Sequence, residues 1–163
     1  MNKKILIGII VVLTIIGIIF IIEKKNKIPT YDADIICSYS TTETLDDEEY
    51  ESKSYVYIYK DDDCVSKAIH QSIMSNNSDT SILESIIDLY SSIDGIDASL
   101  RSIDDSIVFE VVYDFDIIDI DLLKENMGDL LSESSILMTT SELPIKVDDY
   151  LDSLSDNYKC EVK

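Results

Sequence analysis

In the stretch Tyr50–Lys60, YESKSYVYIYK, residues Tyr55, Tyr57 and Tyr59 alternate with Val56 and Ile58. Side chains two apart share a face of an extended chain, and β-branched and aromatic residues suit a pleated surface. The run therefore predicts a strand with two usable faces. Asp61, Asp62 and Asp63 interrupt it, and the alternation resumes from Cys64 to Met74. Two alternating runs around a short acidic break predict a β-hairpin.

Working outward, Asn76, Asn77, Ser78 and Asp79 form a second break, followed by Ile82, Leu83, Ile86, Ile87, Leu89, Tyr90 and Ile93 at helical spacing. Ser81 with Glu84 reads as a capping box, and Asp94-Gly95 as the stop. Ile96–Ile103 and Ile107–Phe115 flank Asp104-Asp105-Ser106 and predict a second hairpin. Ile120, Leu123, Met127 and Leu130 keep roughly helical spacing, with Gly128 as an interruption. Pro144 opens a segment in which Val147, Tyr150, Leu151 and Leu154 line one helix face, and Tyr158–Val162 reads as a return to the sheet. Hairpins separated by short helices predict an α+β fold, an antiparallel sheet packed with short amphipathic helices.

Charge divides the chain of 163 residues. It holds 13 Lys plus Arg and 33 Asp plus Glu, a formal charge of −20. Residues 1–28 carry five lysines against Glu23, a charge of +4, so residues 29–163 hold 8 bases against 32 acids, a charge of −24. Such a domain is a poor nucleic-acid binder, because the phosphate backbone is held by clustered Lys and Arg. Its net charge favours cations, basic proteins or cationic polymers.

The basic segment contains Ile5–Ile22, ILIGIIVVLTIIGIIFII, with no charged residue. At 1.5 Å per residue it forms a helix of about 27 Å, close to the hydrocarbon thickness of a bilayer. No A-x-A-like site follows it, which favours an uncleaved anchor over a signal peptide. A buried soluble helix is the weaker alternative, because the run is apolar on every face. Lysines flank both ends, so charge alone does not orient it. The short N-terminal arm is the easier side to leave in the cytoplasm. The expected organisation is a transmembrane anchor over 1–28, a linker over 29–36, and an acidic extracytoplasmic domain over 37–163.

Three cysteines fall in the acidic part: Cys37, Cys64 and Cys160. A bond between the first and last would staple the two ends of the fold and would belong in an oxidising compartment, leaving Cys64 unpaired. Three buried thiols are the alternative. No CxxC occurs and His70 is the only histidine, so neither a metal site nor a cofactor is expected. Cys37 lies fifteen residues beyond Ile22, too far from the apolar run for a lipid-modified cysteine.

Catalytic chemistry finds no foothold. Asp114, Asp116, Asp119 and Asp121, like Asp46, Asp47, Glu48 and Glu49, could supply oxygen ligands to calcium. Counted from Asp114, however, the EF-hand positions six and twelve hold Asp119 and Glu125, so the required glycine is missing. Solvated acidic turns are the expected reading. Cys64 and His70 lie six apart, on one face of a regular strand but about 20 Å from each other, which rules out a dyad within the strand. Tyr55, Tyr57 and Tyr59 are a candidate partner or glycan surface if exposed. The preferred expectation is that they pack under the helix over 80–93, leaving Val56 and Ile58 for the other side.

The run Tyr55-Val56-Tyr57-Ile58-Tyr59-Lys60 with its acidic turn and Cys64-Val65-Ser66-Lys67 is the first of three pieces that resemble a known family. The others are Val112-Tyr113-Asp114-Phe115-Asp116-Ile117-Ile118-Asp119, and Tyr150-Leu151-Asp152-Ser153-Leu154 followed by Cys160. Together they resemble the YehR-like family of small bacterial lipoprotein-like extracytoplasmic proteins, which join a membrane-targeting N-terminus to one compact α+β domain. The resemblance implies a Cys37–Cys160 pair and a bacterial envelope setting, and it brings no enzymatic activity. The chain departs from the family in lacking a lipid-acceptor cysteine beside its apolar run, so the implied tether is a transmembrane helix. Ile occurs 28 times and Ala only 3, a bias that an AT-rich genome would produce.

Two function classes follow. One is a non-enzymatic, membrane-anchored module that binds a protein or envelope ligand outside the cytoplasm, and the other is a membrane-anchored hydrolase with acidic catalytic residues. A deep pocket with convergent polar groups would favour the hydrolase, and a continuous sheet with an exposed patch the binding module.

Overall fold

The structure, a computed structural model, describes residues 27–45, 48–75, 80–127 and 143–163. The chain divides into two units, Met1–Thr30 and Tyr31–Lys163. The expected anchor helix, Ile5–Ile22, lies outside the described residues, as do Asp46, Asp47, Gly128 and Leu130. Among the described residues no helix is long and apolar enough to cross a membrane.

The second unit is built from β1 (Ile35–Leu45), β2 (Glu48–Asp61), β3 (Cys64–Ser75), α1 (Ser81–Tyr90), β4 (Ile96–Ile103), β5 (Ser106–Asp114), α2 (Ile120–Met127), α3 (Val147–Asp152) and β6 (Lys159–Val162). The strands form one six-stranded sheet in the order β4-β5-β3-β2-β1-β6, with every neighbouring pair antiparallel. The expected α+β class and both expected hairpins are therefore present. β1 was not legible as a strand. Part of the stretch expected as linker is also built into the fold, because Ala33 is buried and β1 starts at Ile35.

Turn chemistry explains how the hairpins close. Asp62 and Asp104 both adopt φ 51°, a left-handed conformation that Asp tolerates better than branched residues. Gly95 has φ +85°, and a Cβ there would lie 2.7 Å from the backbone N of Ile118. Only glycine lets these two backbones approach so closely. Gly95 thus sits in the turn leading into β4 rather than at the end of α1, which stops at Tyr90, where the Ser91 N–H returns to the Ile87 carbonyl. The cap residue of α1 is Thr80 rather than Ser81, and it makes no side-chain cap hydrogen bond; its hydroxyl donates to the Glu84 carboxylate at 3.4 Å, so the expected Ser81 capping box is not formed.

The sheet has two differently built faces. Val56 and Ile58 of β2 join Ile35 and Cys37 of β1, Val65 and Ala68 of β3, and Val111 and Tyr113 of β5 in the main core. All three helices of the described residues close over this face. α1 and the turn after it contribute Ile86, Leu89, Tyr90 and Ile93; α2 contributes Ile120 and Leu123; α3 and its end contribute Val147, Tyr150, Leu151 and Leu154. The apolar stripe expected from Val147 to Leu154 is thereby confirmed. Val56 and Ile58 are 1% and 0% exposed, so each contributes about 1.5–3 kcal/mol of burial.

This arrangement reverses the expectation for the tyrosines. Tyr57 packs on the opposite face with Ala33 and Ile69, flanked by Tyr31, Ile36, Tyr55, Tyr59 and Val112. The physical reason lies in the register, where Cys37 pairs with Val56 and Ile35 with Ile58, while Ile58 pairs with Ala68. That compact aliphatic patch admits helices closely. The bulky, hydroxyl-bearing tyrosines are left to the side that keeps contact with water.

A bulge refines β3. The register with β2 shifts between Tyr59 and Lys60, so that Ser66 is the additional residue. Its hydroxyl donates to the Tyr59 carbonyl at 3.2 Å, and its carbonyl accepts the Phe115 N–H at 2.9 Å. The parity of β3 changes there. Val65 and Ala68 both enter the main core, and Cys64 and His70 do not share a face as they would on a regular strand.

Candidate functional site

Polar groups gather in three places, and each has a different physical character. On the helix-covered face, His70 of β3 sits among aromatic rings. Its Nε2 lies 2.5 Å from the Tyr150 hydroxyl, and its ring meets Tyr113 edge-on at 5.3 Å. Tyr113 in turn shares a hydrogen bond of 3.1 Å with the Tyr90 hydroxyl, and Phe115 packs on both Tyr113 and Tyr150. Burial drives the His70 pKa down to about 4 and raises those of Tyr113 and Tyr150. All three are therefore neutral at neutral pH. They hold one another in place within the core, and Tyr150 is only 2% exposed.

The opposite face carries a charged centre. Glu110 of β5, 6% exposed, accepts three hydrogen bonds: from the Tyr31 hydroxyl at 2.6 Å, from Gln71 Nε2 at 3.2 Å, and from Arg101 at 2.9 Å. A buried carboxylate is tolerated only with such donors. The Tyr31 pKa is raised to about 12, first by burial and then by the Glu110 carboxylate beside it. Tyr31 belongs to a strap, residues 31–34, laid across the tyrosines. Asp34 accepts the Lys60 N–H, its carbonyl accepts the Lys163 N–H, and Asp32 pairs with the Lys163 ammonium at 2.6 Å. That last bond holds the exposed Asp32 carboxyl below its ordinary pKa.

The third place is a half-open cleft of about 360 Å³, lined by Ser38, Tyr39, Ser40, Lys53, Tyr55, Asn157 and Lys159. Its position follows from strand pairing. Ser38 of β1 pairs with Tyr55 of β2 on one side and with Lys159 of β6 on the other, and Ser40 pairs with Lys53. Alternation puts these five side chains on the tyrosine face. The lining holds two ammonium groups, hydroxyls and an amide, without a carboxylate, imidazole or thiol. In a domain of charge −24 it is locally basic.

The disulfide beside this cleft joins Cys37 and Cys160, which are direct partners in the β1–β6 register. Cys37 is fully buried and Cys160 exposed. Cys64 is a free thiol. Of the three tyrosines singled out in the sequence, Tyr57 is buried, Tyr55 and Tyr59 are half-exposed, and Tyr55 forms a wall of the cleft. Tyr59 lies under the Lys67 ammonium at 5.8 Å. The acids at 114–121 act locally, Asp114 accepting the Asp116 N–H and Asp119 the Leu122 N–H in the first turn of α2. No group of ligating side chains that could hold a metal ion occurs among the described residues. Sequence reading missed Ser38, Ser40, Lys53, Asn157 and Lys159. The signal that could have found them is the Cys37–Cys160 pairing, which brings Lys159 next to Ser38.

No family model matches the chain, no curated protein matches it, and no solved structure matches its fold. The likeness to the YehR-like family rests on the three sequence pieces alone.

Proposed function

We propose that the protein is a membrane-anchored, extracytoplasmic, non-enzymatic binding module of the bacterial envelope, with its contact surface on the tyrosine face. The observation that carries this reading is the half-open cleft beside Tyr55, set on a continuous sheet and lined by tyrosine, lysine, hydroxyl and amide groups with no carboxylate, imidazole or thiol among them. Ammonium, hydroxyl and amide groups fix a polar ligand in place. The acids singled out at 114–121 lie in a turn and a helix cap, and the buried Glu110 carboxylate is taken up by three donors of its own fold.

Two further features support the location. The run Ile5–Ile22 has the length and composition of a membrane span, and a cross-strand disulfide persists in oxidising compartments. The family resemblance points the same way. Labelling of intact cells with a membrane-impermeant maleimide tests the reading. Cys160 is expected to label from outside only after reductant, while Cys64, already a thiol, needs none. Labelling of Cys160 in lysates but never in intact reduced cells would place the domain inside and overturn the reading.

A further inference from the structure

We propose that the cleft between β2, β1 and β6 is a site for a short acidic saccharide, with the sugar carboxylate held between Lys53 and Lys159 and the ring laid against Tyr55. The proposal rests on the binding-module reading and names its ligand class.

The spacing comes from the sheet. Strands lie about 4.8 Å apart, so Lys159 and Tyr55, one on each side of Ser38, are roughly 10 Å apart at Cα. Lys53 stands two residues from Tyr55 on the same strand and face, roughly 7 Å away. One pyranose ring fits that span, and a volume of about 360 Å³ holds one or two such rings. The chemistry matches as well. A half-exposed tyrosine offers an apolar ring face to sugar C–H groups and a hydroxyl at its edge. Ser38, Ser40 and Asn157 supply the mixed donors and acceptors that sugar hydroxyls require.

Charge selects the anion and limits its size. Lys159 has no ion-pair partner among the described residues, and Lys53 reaches only Glu51 at 3.0 Å, both ends being largely exposed. Such surface pairs are weak, so the Lys53 ammonium is free to turn to a ligand. Two of the domain's eight bases thus meet at one cleft that has no carboxylate in its lining. The surrounding charge of −24 repels a long polyanion at distances up to the Debye length, about 10 Å at moderate salt. A ligand with one compact carboxylate buried between the lysines escapes that repulsion, and an extended polyphosphate does not.

The test uses the full chain, ¹⁵N-labelled in detergent micelles, titrated with sodium D-glucuronate, D-glucose, acetate and inorganic phosphate while amide shifts are followed. Glucuronate is expected to bind with a Kd in the millimolar range and to shift the amides of Ser38, Tyr55 and Lys159. Glucose lacks the carboxylate and acetate lacks the ring, and each is expected to bind at least tenfold more weakly. Lys159→Gln, at an exposed position, is expected to weaken glucuronate at least tenfold with the rest of the spectrum unchanged, and Lys53→Gln to weaken it severalfold. Equal binding of glucose, equal binding by Lys159→Gln, or phosphate matching glucuronate would each overturn the proposal, the last marking a generic anion site. Absence of glucuronate binding while Cys160 labels from outside the cell overturns the ligand class alone. An internal Cys160 overturns the reading beneath it.

Discussion

The two faces of the sheet solve the same burial problem with opposite means. One is sealed by three helices, and its polar atoms, on His70, Tyr150, Tyr113 and Tyr90, are paired with one another in neutral form. The other, among the described residues, is covered by the strap 31–34, holds the Glu110 carboxylate with its donors Arg101, Tyr31 and Gln71, and opens into a cleft with two lysines. Apolar residues on both sides of β2 would have permitted helices on either. The side with short aliphatic partners on β1 and β3 took them, because close packing rewards shape, and the bulkier tyrosines of β2 were left to the other side. The first face holds the main core, and the second carries the charged groups and the cleft.

The sharpest way to break this contrast is to remove the same residue type from each side. Tyr150→Ala is expected to cost about 3–5 kcal/mol in urea denaturation, because it deletes a fully buried ring and orphans His70. Tyr55→Ala, at the half-exposed wall of the cleft, is expected to cost about 1 kcal/mol. Equal costs would mean that the faces do not divide the work.

Acid probes the sealed face through His70. His70 in the fold has its pKa lowered to about 4, against 6.5 for the unperturbed side chain. The unfolded chain therefore binds the proton first. The stability contributed by the neutral imidazole is complete above pH 6.5 and is lost as pH falls from there toward 4, up to about 3 kcal/mol. His70→Gln is expected to remove that part of the pH dependence, read as the difference between urea titrations of the two proteins at pH 7 and pH 4.5. An unchanged difference would show that the carboxylates alone set acid sensitivity.

A smaller change tests the open face. Glu110→Gln takes the charge from three donors and is expected to cost about 1–2 kcal/mol. Amide exchange at Ala33 is expected to speed up while that at Ile58 stays slow. Speeding of both alike would show that the strap and the sealed core open as one unit.

How much of this was legible depends on where each signal lives. Alternation at 55–59 and 107–113 and helical spacing at 82–93 and 147–154 are local, and those elements are present. β1 escaped because IICSYSTTETL is mostly Ser, Thr and Glu; its extended form is imposed by backbone pairing to β2 and β6 on its two sides. The face of Tyr57 was misjudged because alternation shows that two faces exist and not which one the helices choose. The cleft was hidden for the same reason, since residues 38, 53 and 159 meet only through the register of three strands. The bulge at Ser66, which alters parity with no glycine to mark it, left no trace in the composition of β3.

The bond between Cys37 and Cys160 also decides how the domain bears force. Its chain ends, at Tyr31 and Lys163, lie just outside a covalent ring whose two cysteines are 123 positions apart in sequence. Tension applied between those ends travels through the sulfur clasp and leaves the loop slack. Even fully unravelled, the domain can lengthen by only the nine residue steps outside the ring, about 30 Å, rather than the roughly 450 Å of the whole stretch at about 3.4 Å per residue. A module hung from a surface by one end and loaded at the other would behave as a short, inextensible link for as long as the clasp stays oxidised.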